Sequence, residues 1–100
     1  MLLVHEKLYD KNLLKWKKTS IEESIESLKK VFKVLKKIEF NSEKLRIALD
    51  ELSKETGDRG AIYWPFRVAL TGKEKSPDPV DVAIVLGKEK TLERITKALR

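Results

Sequence analysis

Ser20-Ile21-Glu22-Glu23-Ser24-Ile25-Glu26-Ser27-Leu28-Lys29-Lys30-Val31-Phe32-Lys33-Val34-Leu35-Lys36-Lys37 reads as a single long helix. Ser20 and Glu23 have capping-box spacing. The serine oxygen accepts a first-turn N–H, and the glutamate reaches back to the N–H of the cap. Ile21, Ile25, Leu28, Phe32 and Leu35 recur at spacings of four and three, which makes one apolar face. Glu22, Glu23 and Glu26 crowd the start, and Lys29, Lys30, Lys33, Lys36 and Lys37 crowd the end. That order complements the helix dipole. Ile25, Leu28 and Phe32 are expected to share a core with Leu49.

The rest of the chain follows the same logic. Asn41 or Ser42 caps a second helix with Leu45, Ala48, Leu49 and Leu52 inward, and Gly57 ends it in a left-handed conformation. A turn at Gly57-Asp58-Arg59-Gly60 leads to a helix over 61–71, with Pro65 near its first turns, where a missing N–H costs little. Gly72 stops it. Residues 73–79 are irregular, because Pro77 and Pro79 each hold the preceding backbone extended. Helix resumes near Val80 and runs to Leu86, where Gly87 breaks it. A last helix from Lys88 to Leu99 sets Leu92, Ile95 and Leu99 on one side. Upstream, residues 1–9 lack a clear period, and Asp10 caps a short helix carrying Leu13, Leu14 and Trp16. The fold class is therefore all-α, a small bundle of five or six helices with little or no strand. We read one domain over 1–100, with 1–18 as a lead-in segment and short helix and 20–99 as the helical core.

Composition bounds the function. A chain of 100 residues, 41% hydrophobic and 38% charged, is too apolar for a disordered tail and suits a charged helical domain. It has no cysteine, so disulfides and thiolate zinc sites are excluded, and cytoplasm is the default compartment. A net charge of +6 favours polyanionic partners. The apolar run Met1-Leu2-Leu3-Val4 is too short for a signal-peptide core or a membrane span. It reads as the start of a fragment whose preceding part is missing. No catalytic constellation is visible. His5 is the only histidine, and the carboxylates lie on helix faces beside lysines, as solvated faces do.

Three features bear on a polyanionic partner. Lys29, Lys33, Lys36 and Lys37 fall on one helical stripe that could track a phosphate backbone. Dipole complementarity and solubility explain the same stripe, and periodicity does not separate the two readings. Trp64-Pro65-Phe66-Arg67 could form a base-stacking surface. Large aromatics in so small a domain read better as core, whereas Arg67 beside a stiff loop is poorly explained by packing. The loop Ser76-Pro77-Asp78-Pro79 is either a rigid connector or a rigid seat for an unstacked base.

The run Trp64-Pro65-Phe66-Arg67-Val68-Ala69-Leu70-Thr71-Gly72 resembles the P-L-R-x-A-L-T-G signature near the C-terminus of bacterial-type glutamyl-tRNA synthetases. Ser76-Pro77, Leu86-Gly87-Lys88-Glu89 and Leu92-Glu93-Arg94-Ile95 follow in the family's order and at its intervals. The match runs over 57–99. Leu13-Leu14-x-Trp16-Lys17 resembles, more loosely, a segment leading into the family's anticodon-binding region.

That resemblance implies a helical cage binding the anticodon loop of glutamate tRNA. Arg67 matches the arginine of P-L-R, and Ser76, Pro77, Asp78 and Pro79 match the T/S-P-x-L loop that contacts the first two anticodon bases. The chain departs from the family at Asp78 and Pro79, where small and apolar residues are usual, and Phe66 replaces a leucine. An acidic side chain at 78 repels phosphate but can accept from a base amino group. The readers of the third base are expected upstream of this chain. The family's ATP-binding motifs are absent, so no cofactor and no catalytic site are expected in the fragment. ATP and magnesium belong to the whole ligase, whose catalytic domain would precede these residues. Two rival readings are a basic helical domain that binds nucleic acid without base selection and a protein-interaction domain for an acidic partner. No membrane association is expected.

Overall fold

The structure, a computed structural model, describes residues 11–16, 19–73 and 77–99. His5, Asp10 and Ser76, singled out above, lie outside the described residues. A 3-10 turn, Lys11–Leu14, is followed by α1 (Ile21–Lys37), α2 (Ser42–Thr56), α3 (Arg59–Thr71), α4 (Pro79–Leu86) and α5 (Lys88–Leu99). The described residues contain no strand, as expected of an all-α bundle.

Local signals set the helix ends. The Glu23 N–H donates to Ser20 Oγ at 3.1 Å, and the Ser20 N–H donates to Glu23 Oε1 at 2.8 Å, which completes the capping box. Asn41 caps α2, its Oδ1 accepting from the Lys44 N–H at 2.9 Å. Gly57 and Gly72 close α2 and α3 in the left-handed region, at φ 80° and 71°.

α3 is the central helix and packs against α1, α2, α4, α5 and the 3-10 turn. Its buried residues, among them Ile62, Tyr63, Pro65, Phe66, Val68 and Leu70, lie on most of its sides, as a surrounded helix requires. Leu28, Val31 and Leu35 of α1, Leu45 and Leu49 of α2, Val80 and Ala83 of α4 and Ile95 of α5 complete the core. No helix among the described residues is long and apolar enough to cross a membrane.

Three expectations are corrected. First, α1 is rotated. Its buried stripe is Ser24, Ser27, Leu28, Val31 and Leu35, while Ile25 and Phe32 are half-buried on its shoulder. At about 100° per residue the shoulder lies roughly a quarter-turn from the stripe. The small serines face inward because α1 packs on α2, α3 and α5 together, and short side chains let helices approach. Second, α3 begins at Arg59, with Asp58 as its cap, so Pro65 sits well inside the helix. The Ala61 carbonyl thereby loses an i+4 N–H donor. The packing of α3 against its neighbours tolerates that loss. Third, the short turn ends at Leu14, before Trp16, and α4 begins at Pro79 rather than Val80.

The lead-in segment is tied to α3 through two indoles. Trp64 Nε1 donates to the Leu13 carbonyl at 2.7 Å, and Trp16 Nε1 donates to Asp58 Oδ2 at 3.1 Å. The two rings lie 5.3 Å apart, tilted by 41°. Trp16 rests on the first turn of α3 at Gly60, where a Cβ would overlap its ring. Gly60→Ala is therefore expected to destabilise the chain by about 1–2 kcal/mol, although alanine is the better helix former by up to ~1 kcal/mol. In a Trp16→Ala background the same change should be neutral or stabilising, which urea denaturation of the four variants will show. The same loss in both backgrounds would mean that Gly60 is required for another reason.

Two cations of α5 cap other helices. Lys88 Nζ donates to the carbonyls of Lys36 at 3.0 Å and Ile38 at 3.1 Å, which puts an ammonium at the C-terminus of α1. Arg94 Nη1 donates to the Leu70 carbonyl at 2.6 Å, near the end of α3. The Leu86-Gly87-Lys88-Glu89 and Leu92-Glu93-Arg94-Ile95 segments thus hold α1 and α3 to α5.

Candidate nucleic-acid interface

Arg59, Tyr63 and Arg67 recur every four residues along α3, and Arg46 and Asp50 do the same on α2. The two helices pack together, and their polar side chains interlock. Asp50 Oδ1 accepts from the Tyr63 hydroxyl at 2.8 Å and from Arg59 Nη1 at 2.7 Å. The Arg59 guanidinium lies 4.0 Å from the centre of the Tyr63 ring. Farther along, Arg46 Nη1 donates to Asp78 Oδ2 at 3.1 Å, and its Nη2 lies 3.6 Å from Asp81 Oδ1.

Asp78 is the N-cap of α4. Its Oδ1 accepts from the Val80 N–H at 2.9 Å, and Pro79 opens the helix at a position whose N–H would have no intrahelical partner. Partial burial pushes the Asp78 carboxyl up, but the Val80 N–H, the bond and charge of Arg46 and the charge of Arg67 together hold it below the ordinary carboxylate range. Arg67, half-buried on α3, is thus close enough to act on Asp78.

Of the loop residues singled out in the sequence, Pro77 is exposed, Asp78 half-buried and Pro79 buried in the first turn of α4. The charge of Arg67 reaches Asp78, which follows Pro77 in the chain, whereas the surface offered there by Pro79 is small. The lysine stripe lies elsewhere. Lys29, Lys33, Lys36 and Lys37 are exposed on α1, with Lys29 3.8 Å from Glu26 and Lys36 5.5 Å from the centre of the Phe32 ring. The aromatics are core, as their size suggested: Phe66 is fully enclosed, and Trp64 packs half-buried against Trp16. Among the described residues no three His, Cys, Asp or Glu side chains gather as a metal ion would need.

The sequence reading missed Arg46, Asp50, Arg59 and Tyr63. The four-residue spacing on each helix was available as a signal. The pairing across helices was not, because Arg46 and Asp78 are 32 residues apart.

Tyr63 gives this surface a pH dependence. Burial, and then its bond to Asp50, push its hydroxyl up to about 12, against the opposing charge of Arg59. A group whose pKa is raised by folding contributes stability that is complete below its unfolded value, near 10, and is lost as pH rises through about 12. Thermal melts from neutral pH upward are expected to fall over that window, and to fall less in Tyr63→Phe. An equal fall in both would assign the alkaline loss to other groups.

The all-α bundle thus carries a polar, ion-paired corner where α2, α3 and α4 come together. A family model of the anticodon binding domain matches residues 1–99. The chain belongs to the anticodon-binding domain family. Over 97 residues it is 38% identical to a glutamate–tRNA ligase of Clostridium tetani, covering 94% of this chain and 18% of that protein. Over 88 residues it is 35% identical to glutamate–tRNA ligase 1 of Caldicellulosiruptor saccharolyticus, covering 85% of this chain and 17% of that protein. Its fold is similar to part of the crystal structure of a glutamate tRNA ligase from Elizabethkingia meningosepticum in complex with its amino acid. There the TM-score is 0.77 and the identity 26%, over 91% of this chain and 18% of that one. The chain thus spans less than a fifth of the length of the relatives it matches.

Proposed function

We propose that the chain is the anticodon-reading module of a glutamate–tRNA ligase, and that it binds the anticodon loop of glutamate tRNA at the α3–α4 corner. In this reading Arg67, Ser76, Pro77 and Asp78 face the first two anticodon bases, and Pro79 fixes the start of α4 beneath them. A guanidinium held half-buried on the central helix beside a proline-stiffened turn supports the reading. Such a group donates to a base edge or stacks on a base while losing little entropy on binding. ATP, magnesium and the joining of glutamate to tRNA would belong to a catalytic domain of the same polypeptide, working in the cytoplasm. The module selects the tRNA and presents it.

The test compares binding of an RNA stem-loop carrying the anticodon arm of glutamate tRNA with binding of one altered only at the first two anticodon bases. Preference for the first is expected. Equal affinity would leave a basic helical domain without base selection. The lysine stripe has its own test. If Lys29, Lys33 and Lys36 meet phosphates, each alanine substitution should weaken both RNAs alike and make the salt dependence shallower by about one unit per contact. An unchanged slope would leave the stripe to the helix dipole and to solubility.

A further inference from the structure

We propose that Arg46 is a positioning residue for RNA binding, its ion pairs with Asp78 and Asp81 neutralising an acidic corner that would otherwise face the incoming RNA beside Arg67. The inference rests on the reading that this corner receives RNA, and it adds a residue on a different helix. Asp78 cannot simply be read as a binding group, because it has a structural task. It caps α4 through the Val80 N–H, immediately before Pro79. Asp81 follows in the first turn, where an acid suits the helix N-terminus. Two carboxylates are therefore held at the start of α4 for reasons internal to that helix, one of them within the electrostatic reach of Arg67, and their side chains are 39% and 66% exposed.

Without Arg46 the corner would carry two negative charges against the one positive charge of Arg67. It would repel phosphate and draw the Arg67 guanidinium toward Asp78. Arg46 reaches both acids from α2, at 3.1 and 3.6 Å, and makes the group of four side chains neutral. The planar guanidinium suits this because its separate N–H groups address two carboxylates at once.

The test exploits asparagine, which caps a helix as well as aspartate but carries no charge. Arg46→Ala is expected to weaken binding of the anticodon-arm stem-loop by about three- to ten-fold at low salt, as removal of one half-exposed charge should. Adding Asp78→Asn to Arg46→Ala should restore affinity to within about two-fold, because the charge that needed neutralising is gone. A merely structural tie between α2 and α4 would not be restored by removing its second partner, and an Arg46 that itself grips RNA would not be either. Failure of that restoration overturns the proposal. So does an unchanged affinity in Arg46→Ala when Arg67→Ala weakens binding in the same assay, and that result leaves the binding site where we put it. If Arg67→Ala itself has no effect, the site reading falls, and this proposal falls with it.

Discussion

Phe66→Ala is expected to cost about 3–5 kcal/mol of stability, the range for truncating an enclosed aromatic to alanine. Phe66 is fully buried on the central helix, which every other described element contacts. Removing its ring leaves a cavity that the surrounding helices fill only in part. A domain of this size is typically stable by about 5–15 kcal/mol, so the variant should unfold at much lower denaturant and populate unfolded chain at moderate temperature. Guanidinium denaturation followed by circular dichroism measures this directly. Phe66→Leu should recover most of the loss, because leucine keeps much of the volume. The result separates the two uses of the Trp64-Pro65-Phe66-Arg67 run. A stability change below about 1 kcal/mol together with a large loss of RNA affinity would mean that the ring meets bases instead of filling the core.

How far the sequence could be read depended on the range of the interactions. Helix starts set by neighbours three residues apart were legible. Ser20 with Glu23 appears as written, as do the glycine stops at 57 and 72, and of the two candidates for the cap of α2 the structure uses Asn41. The facing of α1 was not legible from its largest residues. A helix pressed by three others buries the stripe that lets them closest, and here that stripe includes Ser24 and Ser27. The start of α3 was missed because Gly60 looks like part of a turn. Its lack of a side chain instead accommodates Trp16, 44 positions earlier in the chain. The same limit applied at the corner. Arg67 stood out because a stiff loop follows it. Arg46 has no local oddity, and its significance depends on Asp78 and Asp81 being brought to it by the fold. The departure at Asp78 also acquires a local reason, since the residue before Pro79 caps α4.

Arg67→Lys is expected to weaken binding of the cognate anticodon arm by about 1–3 kcal/mol, roughly 5- to 150-fold in affinity, as the loss of a good base contact does. The charge is kept, so a simple phosphate clamp would lose much less. A lysine lacks the planar fork that addresses a base edge or stacks on a base face. Arg67 sits inside α3 between buried Phe66 and Val68, and lysine is about as good a helix former as arginine, so the melting temperature should change little. Ser76→Ala is the companion variant from the matching loop and should produce a smaller loss in the same direction. The decisive comparison uses the stem-loop altered at its first two anticodon bases. If Arg67 reads those bases, the contact is already missing there, and Arg67→Lys should cost that RNA little. In the full ligase the same pattern should appear as impaired charging of glutamate tRNA with glutamate activation by ATP intact. Equal losses for the cognate and altered RNAs would assign Arg67 to the phosphate backbone or to the fold. Base selection would then have to come from residues other than Arg67.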